Sequence, residues 1–564
     1  LNYAWKGLDT FGYHVVNFCI HLLAVWVSYF LALSIFLTLP DWKGRRRAVI
    51  TAQGMAALAA LIFALHPVQT QAVTYIAQRY TSMAGLFYMS AVLLYILGRW
   101  QLRRRCLAQS LEMTSKGAKA CGFFLLLFGL SFLSGLAAFA SKQNALSLPL
   151  AILMAEYMLF DRTWAGWKKK LVYLLPALVA FGLWTLYSSG VLQGDMSLGS
   201  LLEMTDRRTR ETLQVTRWEY LLTQFKVVCM YLGLLIWPAH QSLDYLYPFV
   251  TGLFQSWTVW AGILLATLMA CGVYLRKVQP VISFAIFWFF ITLSIESSLI
   301  PIRDAFVEHR LYLPMLGFGL VLGWGMWTLL SWKKFPALLA TVCLVSVFLY
   351  MTWQRNQIWQ DPQALWAESI AQNPKNYRAH YNLGLELAEQ GEIQKALEHF
   401  QTAVDIWPEY ANAEHNMGLA YQKMDKFDQA QEHYQLAVEY NPAHIKARLS
   451  LSALLIRQRN IREARHHLEE ILQREPDHEQ AMLNLAVLEY VQGNPEKSLS
   501  ILDRVLRINP ANFDAHLNKG SILLRLGRLE QAAHHLQKAR TINPDDSRPV
   551  LYMERLRQHG GQIQ

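Results

Sequence analysis

The chain has 564 residues, 53% of them hydrophobic and 16% charged, against about 25% charge in ordinary soluble domains, which argues against a cytosolic enzyme. Apolar residues are too abundant for disorder, and 31 Gly with 19 Pro do not make a collagen. The net charge of +11 would suggest nucleic acid if it were spread over a soluble surface, but residues 1–354 carry +14 and residues 355–564 carry −3.

Residues 1–354 consist of long uncharged runs, and about 20 apolar residues at 1.5 Å rise cross a bilayer. Spans are expected at 13–39, 49–66, 80–98, 120–141, 143–160, 171–187, 256–275, 280–301, 311–332 and 335–353. The segment 219–237 is one too many for alternating loops and reads as an interfacial or re-entrant helix. Five short loops (43–47, 99–119, 162–170, 276–277 and 333–334) hold 18 of the 28 Lys and Arg of this part. The positive-inside rule assigns them to the cytoplasm. Loops 66–79, 188–218, 238–255 and 297–311 then face outward, as do residues 355–564. The basic excess is an orientation signal, so nucleic acid is not an expected partner. Ten spans ending outside put Leu1 outside as well, and a further span is expected ahead of it, with no signal peptide in the sequence. All six cysteines lie in this part without Cys-x-x-Cys spacing, so neither a disulfide framework nor a metal site is expected.

Four polar clusters fall on the outward side. His14, Asn17 and His21 share one helix face near the end of the first span. HPVQTQAVTYIAQR (residues 66–79) begins with His66 and ends with Arg79. Lys142 stands in FASKQNALSLP, and IPIRDAFVEHRLYLP (residues 300–314) supplies Arg303, Asp304, Glu308, His309, Arg310 and Tyr312. Ionisable groups at span ends are costly and mark candidate sites. Arg79, Lys142, Arg303 and Arg310 suit a lipid phosphate, although snorkelling anchors would account for any one of them. Glu308 and His309 are candidates for acid–base work or substrate contact. His14, Asn17, His66 and Tyr312 are candidates for holding substrate.

Beyond residue 354, Pro374, Pro408, Pro442, Pro476, Pro510 and Pro544 recur every 34 residues, as do Ala396, Ala430, Ala464, Ser498 and Ala532. Gly384, Gly418, Ser452, Ala486 and Gly520 keep the same step. Small residues let two helices approach, and Pro starts a helix where no backbone donor is needed. This pattern closely resembles the tetratricopeptide repeat. Five repeats are expected at 376–409, 410–443, 444–477, 478–511 and 512–545, after a half-repeat at 359–375 and before a capping tail. Stacked repeats form an α-solenoid with a concave groove. Asn382, Asn416, Asn484 and Asn518 share a register, interrupted by Ser450, that is expected to line it. Their amides suit the backbone of an extended polypeptide; bonding within their own helix pair is the alternative. His399, His415, His433, His466, His467, His534 and His535 read as scattered surface residues.

The segments LNYAWKGLDTFGYHVVNFCIHLL, HPVQTQAVTYIAQRYTSMAGLFY, ASKQNALSLPL, VEHRLYLPMLGFG and RNQIW, in this order and followed by repeats, resemble the transmembrane O-mannosyltransferases with tetratricopeptide repeats, the bacterial members most closely. The resemblance implies an all-α protein: a GT-C glycosyltransferase-like membrane domain over 1–354, then the repeat solenoid over 355–564. It implies transfer of a sugar from a polyprenyl-phosphate donor to a protein hydroxyl on the outer, periplasmic side of a bacterial inner membrane. The partners are then the lipid-linked donor, membrane lipids and an acceptor polypeptide held by the repeats, with no cofactor besides the donor and no stated role for a divalent metal. Gln71 and Gln143 stand where the family usually has Glu, and the family's acidic pair would precede Leu1, which puts the main base outside this sequence. Transfer of oligosaccharide, or to a lipid, would use the same fold. A non-catalytic membrane-anchored scaffold is the rival of another class, though a scaffold needs fewer spans and no outward cations.

Overall fold

The computed structural model describes residues 10–38, 46–110, 117–160, 215–298 and 300–560; the expected span 171–187 lies outside them. The described residues contain helices and no strand. The chain divides into two compact units, Leu1–Pro374 and Lys375–Gln564.

In the first unit, eight helices are long and apolar enough to cross a membrane: Thr10–Thr38, Ala48–Leu65, Ile76–Arg103, Phe123–Ser141, Arg217–Ile236, Thr258–Val278, Met315–Trp332 and Lys334–Ile358. Large apolar side chains such as Trp26, Phe132, Trp260 and Phe335 are exposed on them, as expected where lipid is the solvent. The helices Arg46–Leu65 and Met315–Trp332 approach most tightly at small residues. A Cβ on Gly319 would lie 2.8 Å from the Ala59 carbonyl oxygen, and one on Gly323 would lie 2.6 Å from that of Met55. This is the small-xxx-small packing of membrane helices, and it anchors the chain that leads out of residues 300–314.

Two expected spans are corrected. The run 280–301 is helical only over Pro280–Leu293, 14 residues, about 21 Å long against a hydrocarbon core of about 30 Å. Ser294, Glu296, Ser297 and Ser298 follow as turns and bends, where the Glu296 carboxylate meets Lys142 and its carbonyl meets Tyr220. The run 143–160 is a turn (Gln143–Ser147), a short helix (Leu148–Ala155) and a π-helical turn (Glu156–Phe160). Its Glu156 is buried and takes two bonds from Arg99, at 2.7 and 2.8 Å, and one from Tyr95 Oη at 2.9 Å.

The extra segment is a continuous helix, Arg217–Ile236, started by a Thr216–Glu219 capping box. Although long enough to cross, it bonds the loop layer along its whole length. Tyr220 Oη donates to the Glu296 carbonyl, Gln224 Nε2 to Ala305, Tyr231 Oη to Val307, and the Leu235 carbonyl meets His66.

In the second unit the helices come in pairs, from Tyr377–Glu389 with Ile393–Ile406 to Phe513–Arg525 with Leu529–Ile542, and Arg548–Gly560 closes the array. A Cβ on Gly384, Gly418 or Gly520 would fall 2.6, 2.5 or 2.7 Å from Phe400, Tyr434 or Leu536 respectively, so these crossings demand glycine. Each pair turns through one left-handed residue: Gly391, Asp425, Arg459, Gly493 and Gly527, with φ of 85°, 59°, 63°, 86° and 73°.

The reading of the histidines as scattered surface residues is also corrected. His399, His433, His467 and His535 occupy one register at steps of 34, with Ile501 in the remaining place. Each half-buried ring faces the residue 19 positions earlier on the partner helix: His380 at 3.1 Å, Glu414 at 2.7 Å, Arg448 at 3.2 Å and His516 at 2.9 Å. His466 and His534, next in sequence, point outward and are exposed.

Candidate functional site

The described loops around residues 66–79, 142, 240–246 and 300–314 of the first unit form one bonded layer. His66 sits between helix Arg46–Leu65 and the turn Pro67–Gln69. Its Nδ1 accepts from the Val68 N–H at 3.3 Å, so Nε2 carries the proton and donates to the Leu235 carbonyl at 3.0 Å. Tyr312 donates at 2.9 Å to His21 Nδ1, whose Nε2 reaches the Ala64 carbonyl at 3.3 Å. Asn17 donates to the Val73 carbonyl at 3.0 Å and accepts from Arg79 Nε at 2.7 Å. Arg79 also reaches the Tyr13 carbonyl at 3.2 Å.

Glu308, buried in the turn Glu308–Leu311, gathers the loop 240–245. Its carboxylate accepts from Gln241 Nε2 at 2.7 Å, the Ser242 N–H at 2.8 Å and Tyr245 Oη at 2.6 Å. His240 and Leu246 flank this loop with left-handed φ of 59° and 39°, a conformation that non-glycine residues hold only when their surroundings enforce it. Burial pushes the Glu308 carboxyl up, although Arg355 and its three donors pull the other way. The same loop holds the helix Pro362–Gln372 through Ser242 Oγ and Ser369 Oγ at 2.9 Å. Arg310, also buried, donates to the Ala305 and Asp304 carbonyls at 2.8 and 2.7 Å, with Tyr220 Oη 3.5 Å away. It braces the turn of its own loop.

A half-buried group remains. Lys142 Nζ lies 2.8 Å from Glu296 Oε1. Burial works against the charge of Glu296, but Lys142 and Arg310 outweigh it and hold the carboxyl below its usual range. Gln71 Oε1 accepts from the His309 N–H at 2.7 Å and lies 3.2 Å from His309 Nδ1, while Gln71 Nε2 reaches the Leu243 carbonyl at 3.4 Å. Burial, and then the charges of Lys142 and Arg310, hold the His309 imidazole well below 6.5. It is therefore neutral at pH 7.

The expected site residues thus separate into three kinds. Glu308, Arg310, Tyr312, His66 and Asn17 are buried, and their polar atoms are used inside the protein. Each also serves the fold: Arg310 donates to the Ala305 and Asp304 carbonyls, His66 to the Leu235 carbonyl and Tyr312 to His21. His14 and Arg303 are exposed; His14 stays on the helix face of Asn17 and His21, one turn nearer the helix end. Lys142, His309 and Arg79 are half-buried as whole residues, with the Lys142 Nζ itself shielded from solvent beside Glu296. Glu296 was missed because it fell inside an expected span, although a lone carboxylate at the end of an apolar run is itself a signal. Gln241 and Tyr245 carried no signal, since only the fold brings them to Glu308.

In the repeats, the asparagine register is half-buried. Asn382 and Asn416 donate at 2.8 Å to carbonyls four residues earlier, Arg378 and Asn412, and Asn416 also donates to Tyr381 Oη at 3.0 Å. Asn484 Oδ1 accepts from Gln480 at 3.3 Å.

Three tetratricopeptide repeat family models match residues 375–442, 449–512 and 492–552. The chain is similar to a protein O-mannosyl-transferase of Caenorhabditis elegans, at 23% identity over 73% of this chain and 53% of that protein. It is similar also to the protein O-mannosyl-transferase TMTC1 of Homo sapiens, at 25% identity over 73% of this chain and 47% of that protein. The chain spans about half the length of these curated relatives. Among solved structures, a tetratricopeptide repeat protein from Parabacteroides merdae is 20% identical, covering 35% of this chain and 78% of that one with a TM-score of 0.33.

Proposed function

We propose that this chain is the membrane and repeat portion of a glycosyltransferase that moves mannose from a polyprenyl-phosphate donor to protein hydroxyls on the outer side of the membrane. The observation that carries this reading is similarity over 73% of the chain, membrane unit included, to proteins named protein O-mannosyl-transferases. The loop layer supports it. A glycosyl phosphate needs cations for the phosphate as negative charge develops on the leaving oxygen. Lys142 and Arg79 are half-buried cations of the layer: Lys142 pairs with Glu296, and Arg79 bonds Asn17 and the Tyr13 carbonyl. The spans would hold the polyprenyl chain, and the basic loops on the opposite side would fix orientation in a bacterial inner membrane.

The repeats are read as the acceptor-binding part. Because the Asn382 nitrogen serves its own helix and the Asn416 nitrogen its own helix and Tyr381, their oxygens are the atoms offered to peptide N–H groups. Labelled polyprenyl-phosphate mannose, offered to the full chain with candidate acceptor proteins, tests the reading. Label in protein is the expected result. Label that stays on the lipid with every acceptor, while acceptors still bind the repeats, would turn the reading to the scaffold. Alanine at Asn382, Asn416, Asn484 and Asn518 together should weaken acceptor binding about tenfold or more; unchanged binding would remove the register from the groove's function.

A further inference from the structure

The Lys142–Glu296 pair is fixed by backbone on both sides. Lys142 follows helix Gly117–Ser141; its N–H donates to the Ala138 carbonyl at 3.0 Å and its carbonyl accepts from Ala145 at 3.2 Å. Glu296 stands in the turn after helix Pro280–Leu293, where the Ser297 N–H donates to the Leu293 carbonyl at 2.9 Å and Tyr220 Oη to the Glu296 carbonyl at 2.7 Å. The two side chains can therefore shift while their backbones stay. Lys142 Nζ lies 2.8 Å from Glu296 Oε1 and 5.9 Å from the ring of Tyr80, which is exposed. The charges bearing on Glu296 are Lys142 and Arg310, and the same two act on the His309 ring, itself neutral. Glu308 belongs to a separate group with Arg355, which pairs with Glu368. Two cations against one carboxylate leave a surplus of one positive charge. A sugar phosphodiester, with one negative charge, matches that surplus. A phosphomonoester carries about −1.5 to −2 at pH 7 and exceeds it.

We propose that Glu296 is the specificity-determining residue that separates the donor, a phosphodiester with one negative charge, from the spent carrier, a phosphomonoester with two. This rests on the glycosyltransferase reading. In transfer, the acceptor oxygen bonds to the anomeric carbon and its proton passes to the acidic base that the family resemblance implies. The bond from that carbon to the phosphate oxygen breaks, and its electron pair leaves with the polyprenyl phosphate. The lipid has then gained a charge that the protein around it does not match. Lys142 attracts both lipids, as does Arg79 from outside the group. Glu296 opposes the second charge, because like charges repel strongly in a partly buried site, and it takes Lys142 back as the spent carrier leaves. Cations without this carboxylate would hold the product more tightly than the donor and slow turnover.

The test is binding without transfer. Affinities of the full chain in lipid nanodiscs are measured for polyprenyl phosphate, a monoester, and for polyprenyl methyl phosphate, a diester, with no acceptor present. Glu296→Gln keeps the size of the side chain and removes its charge. It should lower the ratio of monoester Kd to diester Kd at least about tenfold, and make mannose transfer more sensitive to added polyprenyl phosphate. Glu296→Asp keeps the charge and should hold the ratio within about threefold of the wild type. Lys142→Gln removes a cation instead and should raise the ratio, which tests the same charges even where Glu296→Gln does not fold. A ratio unchanged in Glu296→Gln, or lowered as much in Glu296→Asp, would make Glu296 a structural partner of Lys142 and overturn the proposal. A ratio that falls in Lys142→Gln would overturn it as well. The expected ratios in a chain that moves no mannose would support the role of Glu296 at a polyprenyl-phosphate site and overturn the glycosyltransferase reading alone.

Discussion

The two units are held together by bonds of opposite kinds. In the repeat array a contact made once is made again 34 residues later: a glycine under a large side chain, a left-handed turn residue, a histidine facing its partner helix. In the loop layer of the membrane unit each bond is made once and joins residues far apart in the chain. Gln71 meets His309, His21 meets Tyr312 and His66 meets Leu235. Periodic bonds let the array tolerate a weak repeat, because stability is close to a sum over neighbours. Unrepeated bonds have no substitute, and a buried polar group that loses its partner keeps its full desolvation cost.

The largest effect is accordingly expected in the loop layer. Glu308→Ala removes the acceptor of three donors at once and releases a loop held between two left-handed residues. We expect a loss of about 3 kcal/mol, read as a lower melting temperature of the full chain in lipid nanodiscs, together with loss of sugar transfer. Glu308→Gln keeps an acceptor and should lose less. If Glu308→Ala melted like the wild type, the layer would not be the unit's weak point.

A comparable insult to the array should stay local. Gly418→Leu drives a side chain into Tyr434 and should cost about 2 kcal/mol, with faster hydrogen exchange in helices Ala411–Lys423 and Phe427–Tyr440 and little change in Phe513–Arg525. Loss of protection across all five repeats would show the array to be one cooperative body.

The histidine column predicts a pH effect confined to the array. Burial first, and then neighbouring charges, lower His535 from 6.5 to about 4, and His399 is lowered in the same direction. The folded state therefore binds fewer protons than the unfolded one between these values, so stability is full above pH 6.5 and is lost as pH falls toward 4. Hydrogen exchange of the repeat helices should accelerate over that window, less so in His399→Leu with His535→Leu. A pH-independent profile would show that these rings take up protons as readily in the folded array as in the unfolded chain.

The smallest effect is a gain. Asp425 and Arg459 occupy the left-handed turn position that glycine holds in three repeats. Asp425→Gly and Arg459→Gly should each stabilise their repeat by up to about 1 kcal/mol, visible as slower exchange around the turn; faster exchange would place the strain elsewhere.

The same contrast decides what could be read from the sequence. The array was legible because a step of 34 marks helices, crossings and turns together, and only the histidine column was misread, since His466 and His534 masked a register that the spacing of His399, His433, His467 and His535 already contained. The helices of the membrane unit were legible from hydropathy, except where a turn interrupts an apolar run at Ser294–Ser298 and at Gln143–Ser147. Which polar residues serve the fold was not legible. Arg310 also gives donors to the Asp304 and Ala305 carbonyls, and on one helix face His14 is exposed while Asn17 and His21 are buried. Composition gives the charge of a group, and only packing says whether its hydrogen bonds are already made.

The central claim is that the half-buried group of the membrane unit performs the transfer while the array only holds the acceptor. The most direct measurement compares Lys142→Ala with the wild-type chain, reading mannose transfer from polyprenyl phosphate and affinity for the same acceptor peptide side by side. The account predicts transfer lowered about 100-fold with the peptide Kd unchanged within twofold. Transfer that persists at the wild-type rate, or a loss of peptide binding equal to the loss of transfer, would contradict it.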